Sequence, residues 1–198
     1  AGSLITLASC KDANGNDDNG VSFGSGDFAI LNYAYALEQL EAAFYIQVIA
    51  TPYTGMTTGE KSLLTDVRDH EVAHREFFKA ALGSNAIPGL DVNFSSINFT
   101  SRDSVLNTAK AFEDLGVSAY NGAGRYIASA DYLLLAGKIV SVEARHAAYI
   151  RDLISNGSFA DSTVVGANGL DKSRKPREVL GIAGPYIKTK LDASTLPA

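Results

Sequence analysis

Four stretches of this chain repeat apolar residues at helical spacing, and each of them sets a glutamate among its apolar positions. No other feature constrains the fold as tightly. A carboxylate buried alone in a dry core costs several kcal/mol and tends to take up a proton. Four of them inside one bundle need a shared partner.

The first stretch, DFAILNYAYALEQLEAAFYIQVIA from Asp27, puts Leu31, Tyr35, Glu38, Ala42, Tyr45 and Ile49 near one face. Ser25 or Asp27 is its expected cap, and Thr51-Pro52 stops it. The second runs from about Thr58 to Leu82, with Leu64, Val67, Glu71, His74, Phe78 and Ala81 aligned and Gly83 ending it. A third is expected from about Arg102 to Ala128, carrying Val105, Ala109, Phe112, Gly116, Tyr120 and Ala123 on its face with Glu113 in the same stripe. Gly116, Gly122 and Gly124 within it each cost roughly 1 kcal/mol against alanine, which close helix contact would offset. The fourth covers Ala130 to Ile154, with Leu135, Ile139, Val142, Glu143, His146, Tyr149 and Leu153 on its face.

Between the second and third stretches, SNAIPGLDVNFSSINFTS has no helical period. It is long for a loop, which predicts a crossover spanning the length of a bundle. After Asn156-Gly157 the chain is loop-rich except for PREVLGIAGPYI, where Pro176 suits a first helical turn and Pro185 ends the run. The expected organisation is a terminal segment and tether over residues 1–24, a four-helix bundle over 25–155, and an extension over 156–198 whose short helix packs on the bundle.

The acidic positions have a pattern of their own. The second and fourth helices read Glu-x-x-His, as Glu71/His74 and Glu143/His146. Spacing i, i+3 sets both side chains on one helix face. The first and third helices each supply a glutamate, Glu38 and Glu113, with a tyrosine seven positions later, Tyr45 and Tyr120. Glu38 precedes Glu71 by 33 positions and Glu113 precedes Glu143 by 30, so the two halves echo one another. A pair of divalent cations related by a pseudo-two-fold axis fits this set, with Glu41 one turn from Glu38 as a supplementary ligand or a salt-bridge partner.

The stretch His70-Glu71-Val72-Ala73-His74 also spells the zinc-peptidase signature His-Glu-x-x-His. That reading needs a third ligand and an open position for water. It gives no reason for Glu143 and His146, nor for Glu38 and Glu113. His70 stands about 100° around the helix from Glu71, which suits a hydrogen bond behind the ligands better than ligation.

The chain is 46% hydrophobic over 198 residues, enough for one domain's core. Its net charge is −5 with no basic run, which excludes a phosphate-binding stripe and with it a nucleic-acid partner. No run of 18 apolar residues exists to span a membrane. The lone cysteine, Cys10, closes Leu7-Ala8-Ser9-Cys10, which resembles a bacterial lipoprotein box. The polar stretch behind it reads as a flexible tether. This predicts an extracytoplasmic protein, periplasmic or held to a membrane by a lipid on Cys10.

Taken in order, LNYAYALEQLEAAFY, DHEVAHREFFKAALG, AFEDLGVSAY and SVEARHAAYIRDLI resemble the ferritin-like domain proteins. The group in view includes bacterial secreted ferritin-like and plant desiccation-related proteins. The resemblance covers about Asp27 to Ile154, and REVLGIAGPYI is similar to the group's short terminal helix. Ferritins and bacterioferritins have a tyrosine seven residues after the first glutamate, which maps onto Glu38 and Tyr45; Leu31-Asn32 also matches bacterioferritin-like chains. The resemblance implies an all-α, ferritin-like antiparallel bundle with metal ligands Glu38, Glu71, His74, Glu113, Glu143 and His146. It further implies two iron or manganese ions, with Tyr45 and Tyr120 placed for hydrogen bonding or electron delivery. The activities implied are iron oxidation, or reduction or disproportionation of oxygen or peroxide. A small oxidant or metal-ion substrate and a homodimer are the partners this admits. The other readings are a non-catalytic, stress-related scaffold and, remotely, the zinc peptidase.

Overall fold

The computed structural model describes residues 20–198. The expected lipidation box at Leu7–Cys10 and the tether up to Asn19 lie outside those residues. Within them the chain forms α1 (Gly26–Ala50), α2 (Thr58–Leu82), α3 (Arg102–Ala123), α4 (Ala130–Ile154) and a short α5 (Pro176–Ala183). Two-residue strands β1 (Val21–Ser22) and β2 (Leu191–Asp192) pair in parallel, Val21 opposite Leu191. The architecture is the expected ferritin-like four-helix bundle with a long crossover between α2 and α3.

Local chemistry sets most of the helix starts. Thr57 and Glu60 form a reciprocal capping box: Glu60 N–H donates to Thr57 Oγ1 at 3.1 Å, and Thr57 N–H donates to Glu60 Oε2 at 2.9 Å. Ser101 and Ser129 accept from the backbone N–H three residues on at the heads of α3 and α4. Asp27 does not cap α1. Its carboxylate instead accepts from Ala128 N–H at 2.7 Å and Ser129 N–H at 2.9 Å. That grip helps explain why α3 stops at Ala123, five residues short of the expected Ala128. The chain passes through a 3-10 turn, Gly124–Tyr126, and Asp27 holds the link in the geometry that starts α4.

Short links make α1 and α2 one antiparallel hairpin and α3 and α4 another. The helices are not equivalent. In α1, 17 of 25 residues are buried, against 6 in α2 and 6 in α4, so α1 is the inner helix and is apolar nearly all round. The crossover covers a face of α1 that its partner helices leave open. Asn32 fastens the crossover: its Nδ2 donates to Asn85 O (2.8 Å) and Phe23 O (3.1 Å), and its Oδ1 accepts from Ile87 N–H (2.9 Å). Gln39 does the same two turns later, accepting from Leu90 N–H at 2.9 Å. Phe94 and Phe99 then pack on Phe44, with ring centroids 6.0 and 5.9 Å away. Burying Phe44 and Tyr45 completely contributes about 1.5–3 kcal/mol each.

The extension lies on α3. Arg174 N–H donates to Ser118 O at 2.9 Å, and a Cβ on Gly122 would stand 1.7 Å from Arg174 O. Gly122 therefore gives the close contact its cost implied, though to the extension rather than to a helix. Val179, Ala183 and Leu196 of the extension are core residues, as are Val21 and Phe23, which the sequence reading leaves in the tether. No helix among the described residues is long and apolar enough to cross a membrane.

Candidate metal centre

Halfway along the bundle the four helices aim six ionisable side chains at one another. Glu38, Glu71, Glu113 and Glu143 are fully buried, His146 is nearly so, and the His74 side chain is 13% exposed. They resolve into two overlapping groups, Glu38/Glu71/His74/Glu143 and Glu71/Glu113/Glu143/His146, whose donor atoms all lie within 4.8 Å of one another. Glu71 and Glu143 belong to both.

The two groups have closely matching geometry. His74 Nδ1 stands 2.8 Å from Glu143 Oε1, 3.5 Å from Glu38 Oε2 and 3.8 Å from Glu71 Oε2. His146 Nδ1 stands 2.8 Å from Glu71 Oε1, 3.5 Å from Glu113 Oε2 and 3.6 Å from Glu143 Oε2. Each shared carboxylate thus turns one oxygen to each group, as a bridge would. Each imidazole sits nearest the shared glutamate of the other Glu-x-x-His helix.

These short distances are not hydrogen bonds. Eight buried atoms here lack a hydrogen-bond partner: Glu38 Oε2, both oxygens of Glu71, His74 Nδ1, Glu113 Oε2, both oxygens of Glu143, and His146 Nδ1. Buried polar atoms are rarely left unpaired, and a bound ion is one of the few standard reasons. Donors about 2.1 Å from a common ion stand about 3 Å apart, close to the spacing found. The donor set fits two divalent ions.

The outer oxygens are held differently. Tyr45 of α1 donates its hydroxyl to Glu113 Oε1 of α3 at 2.5 Å, and Tyr120 of α3 donates to Glu38 Oε1 of α1. Sequence spacing puts each tyrosine on the face of its own helix's glutamate; in the structure each serves the glutamate of the other helix. The repeated seven-residue offset was the signal, and its crossing depends on how α1 and α3 face. In each terminal glutamate, Oε1 is bound by a phenol and Oε2 is left facing the centre.

Electrostatics follow from the crowding. Burial and then Glu143 raise the Glu71 carboxyl well above the usual range, and burial raises Glu38. Burial likewise pushes Glu113 up to about 7. Burial would also raise Glu143, but the flanking His146 and His74 outweigh it and hold it at about 2. Burial opposes charge on His74, yet Glu143, Glu38 and Glu71 around it push it up to about 12, and His146 is raised in the same way.

His70 belongs to neither group. Its Nδ1 lies 3.0 Å from His146 Nε2, with the rings stacked 6° from parallel. It thus stands at hydrogen-bond distance behind His146, on the nitrogen turned away from the glutamates, as expected of a residue outside the ligand set. It does not converge with His74 on one ion, which takes away the pairing a zinc peptidase needs. Glu41 is also outside both groups and makes no ion pair among the described residues.

A glutamate from each of two helices and a Glu-x-x-His from each of the other two define the bundle class built to hold a carboxylate-bridged metal pair. Within that class, the ferritin-like domain model matches residues 26–156, and the chain belongs to that family. A search of curated proteins finds no match to the chain.

Proposed function

We propose that the six side chains hold two iron or manganese ions, and that the pair oxidises iron or reduces oxygen or peroxide in the cell envelope. The eight unpaired buried donor atoms facing one another carry this reading. Four carboxylates and two imidazoles with no thiolate suit iron(II) or manganese(II). Bound there, two such ions supply two one-electron changes, the number that reduction of peroxide to two waters consumes. Glu71 and Glu143 set the separation of the ions, Glu38 and Glu113 close the two ends, and His74 and His146 each complete one group. Tyr45 and Tyr120 hold the terminal carboxylates by their outer oxygens while the inner ones stay free to ligate. The envelope location is supported by Leu7-Ala8-Ser9-Cys10, and the four helix segments support a place among the secreted and desiccation-related members.

The test is a metal inventory of protein expressed with iron and manganese supplied. About two ions per chain are expected, followed by measurable consumption of oxygen or peroxide. Glu71→Ala or Glu143→Ala should lose both ions, because each carboxylate serves both groups. One zinc per chain would overturn the two-ion reading. A metal-free protein under those conditions would make the bundle a scaffold.

A further inference from the structure

In the two halves of the centre, α1 and α3 correspond at an offset of 75 positions, Glu38 with Glu113 and Tyr45 with Tyr120. The same offset takes Glu41 to Gly116, and there the symmetry breaks. A Cβ on Gly116 would stand 3.1 Å from Glu41 Oε1 and 3.6 Å from Oε2, so the missing side chain on α3 is the space the Glu41 carboxylate uses. Both residues line a narrow, half-open crevice between α1 and α3 with Leu37, Leu40, Phe112 and Leu115. Its free space is about 10 Å³, room for roughly one water or one bare cation.

Glu41 is 4% exposed and has no hydrogen-bond or ion-pair partner among the described residues. A buried carboxylate with no partner destabilises the fold, so packing does not account for it. Residence in the centre does not account for it either, since both donor groups are complete without it. Its position does. It lies one turn from Glu38 on the same helix face, and it is the only lining residue whose side chain bears oxygen. An ion leaving water through a collar of leucines and a phenylalanine has no other ligand on the way.

We propose that this crevice is the entry port for the metal ions and that Glu41 is the transfer ligand that takes each ion from water and passes it to Glu38 and the shared carboxylates. Gly116 keeps the opposite wall clear so that the carboxylate can swing. The proposal rests on the di-metal reading above.

The test uses the full chain stripped of metal and mixed rapidly with cobalt(II), following the visible absorption of the bound ion and counting ions per chain at saturation. Wild type should take up two. Glu41→Gln should also reach two, with uptake slowed about tenfold or more. Gly116→Ala, which retains Glu41 but crowds its carboxylate, should slow uptake as well and provides the measurement if Glu41→Gln does not fold. Uptake as fast as wild type in either variant overturns the port. A single ion at saturation in Glu41→Gln also overturns it, by making Glu41 a resident ligand. Failure of wild type to bind cobalt would instead sink the di-metal reading, and the port with it.

Discussion

Glu143 and His74 show at the scale of single residues what occupies the centre when no ion does. Glu143 is held at about 2 by the imidazoles beside it, against its burial, and His74 is pushed up to about 12 by the carboxylates around it. Protons on the imidazoles thus balance part of the buried negative charge. An imidazole ligates through a bare nitrogen, so each ion must displace a proton from the Nδ1 it binds. The sign is fixed by the direction of the shift. A histidine raised from about 6.5 to about 12 is protonated throughout the neutral range, so lowering the pH strengthens the competitor and raising it favours the metal. Manganese affinity should therefore rise steadily from pH 6 to pH 8, with release of at least two protons per chain, one from each imidazole and the rest from the Glu71 and Glu113 carboxyls that burial raises. Calorimetric titration in buffers of different ionisation enthalpy measures that release directly. An affinity flat across this range would show that the imidazoles are not the ligands.

At the scale of elements, the bundle depends on places where a second segment touches a helix. Gly122 is the sharpest of these, because a methyl group there would overlap the Arg174 carbonyl. Gly122→Ala should lower stability by about 1–3 kcal/mol despite alanine's better helix propensity. Gly137 in α4 has nothing within 4 Å of a Cβ, and Gly137→Ala should raise stability by about 1 kcal/mol. Urea unfolding of the two variants separates packing from propensity, and a shift of the same sign in both would refute the contact. The contrast also marks what the sequence could show. The ends of α2 and α4 were legible because local signals set them, Gly83 and the Asn156-Gly157 stop. The end of α3 was not, because Asp27 reaches across 101 positions to hold the following link. The β1–β2 pairing was hidden for the same reason: two residues have no period, and their partners lie at the other end of the chain. The six converging side chains were legible as types at a repeated spacing. The crossed tyrosine bonds and the place of Glu41 depend on how α1 and α3 face, which spacing along one helix does not encode.

Across the whole molecule, the interior divides into two chemically distinct parts. One is an apolar mass around α1 that includes Tyr33, Phe44, Leu64, Phe78 and Ile150. The other is the band of four glutamates and two histidines through its middle, where unpaired donors cost stability until an ion satisfies them. The helices do not depend on that band, so metal removal should leave the far-ultraviolet dichroism of the bundle nearly unchanged while lowering its melting temperature. An ion that binds only the folded state adds about 2.7 kcal/mol at one hundred times its Kd. For a chain of this size each kcal/mol moves Tm by about 2–4 °C, so restoring both manganese ions to the stripped protein should raise Tm by about 10–20 °C. Glu71→Ala is the control that assigns the effect: it removes an oxygen from both donor groups and should abolish the ion-dependent rise. If the variant gained as much from manganese as wild type, the stabilising ion would be binding elsewhere. If wild type gained nothing, the buried charges would have to be balanced by protons alone, and the band would be a structural feature of the core.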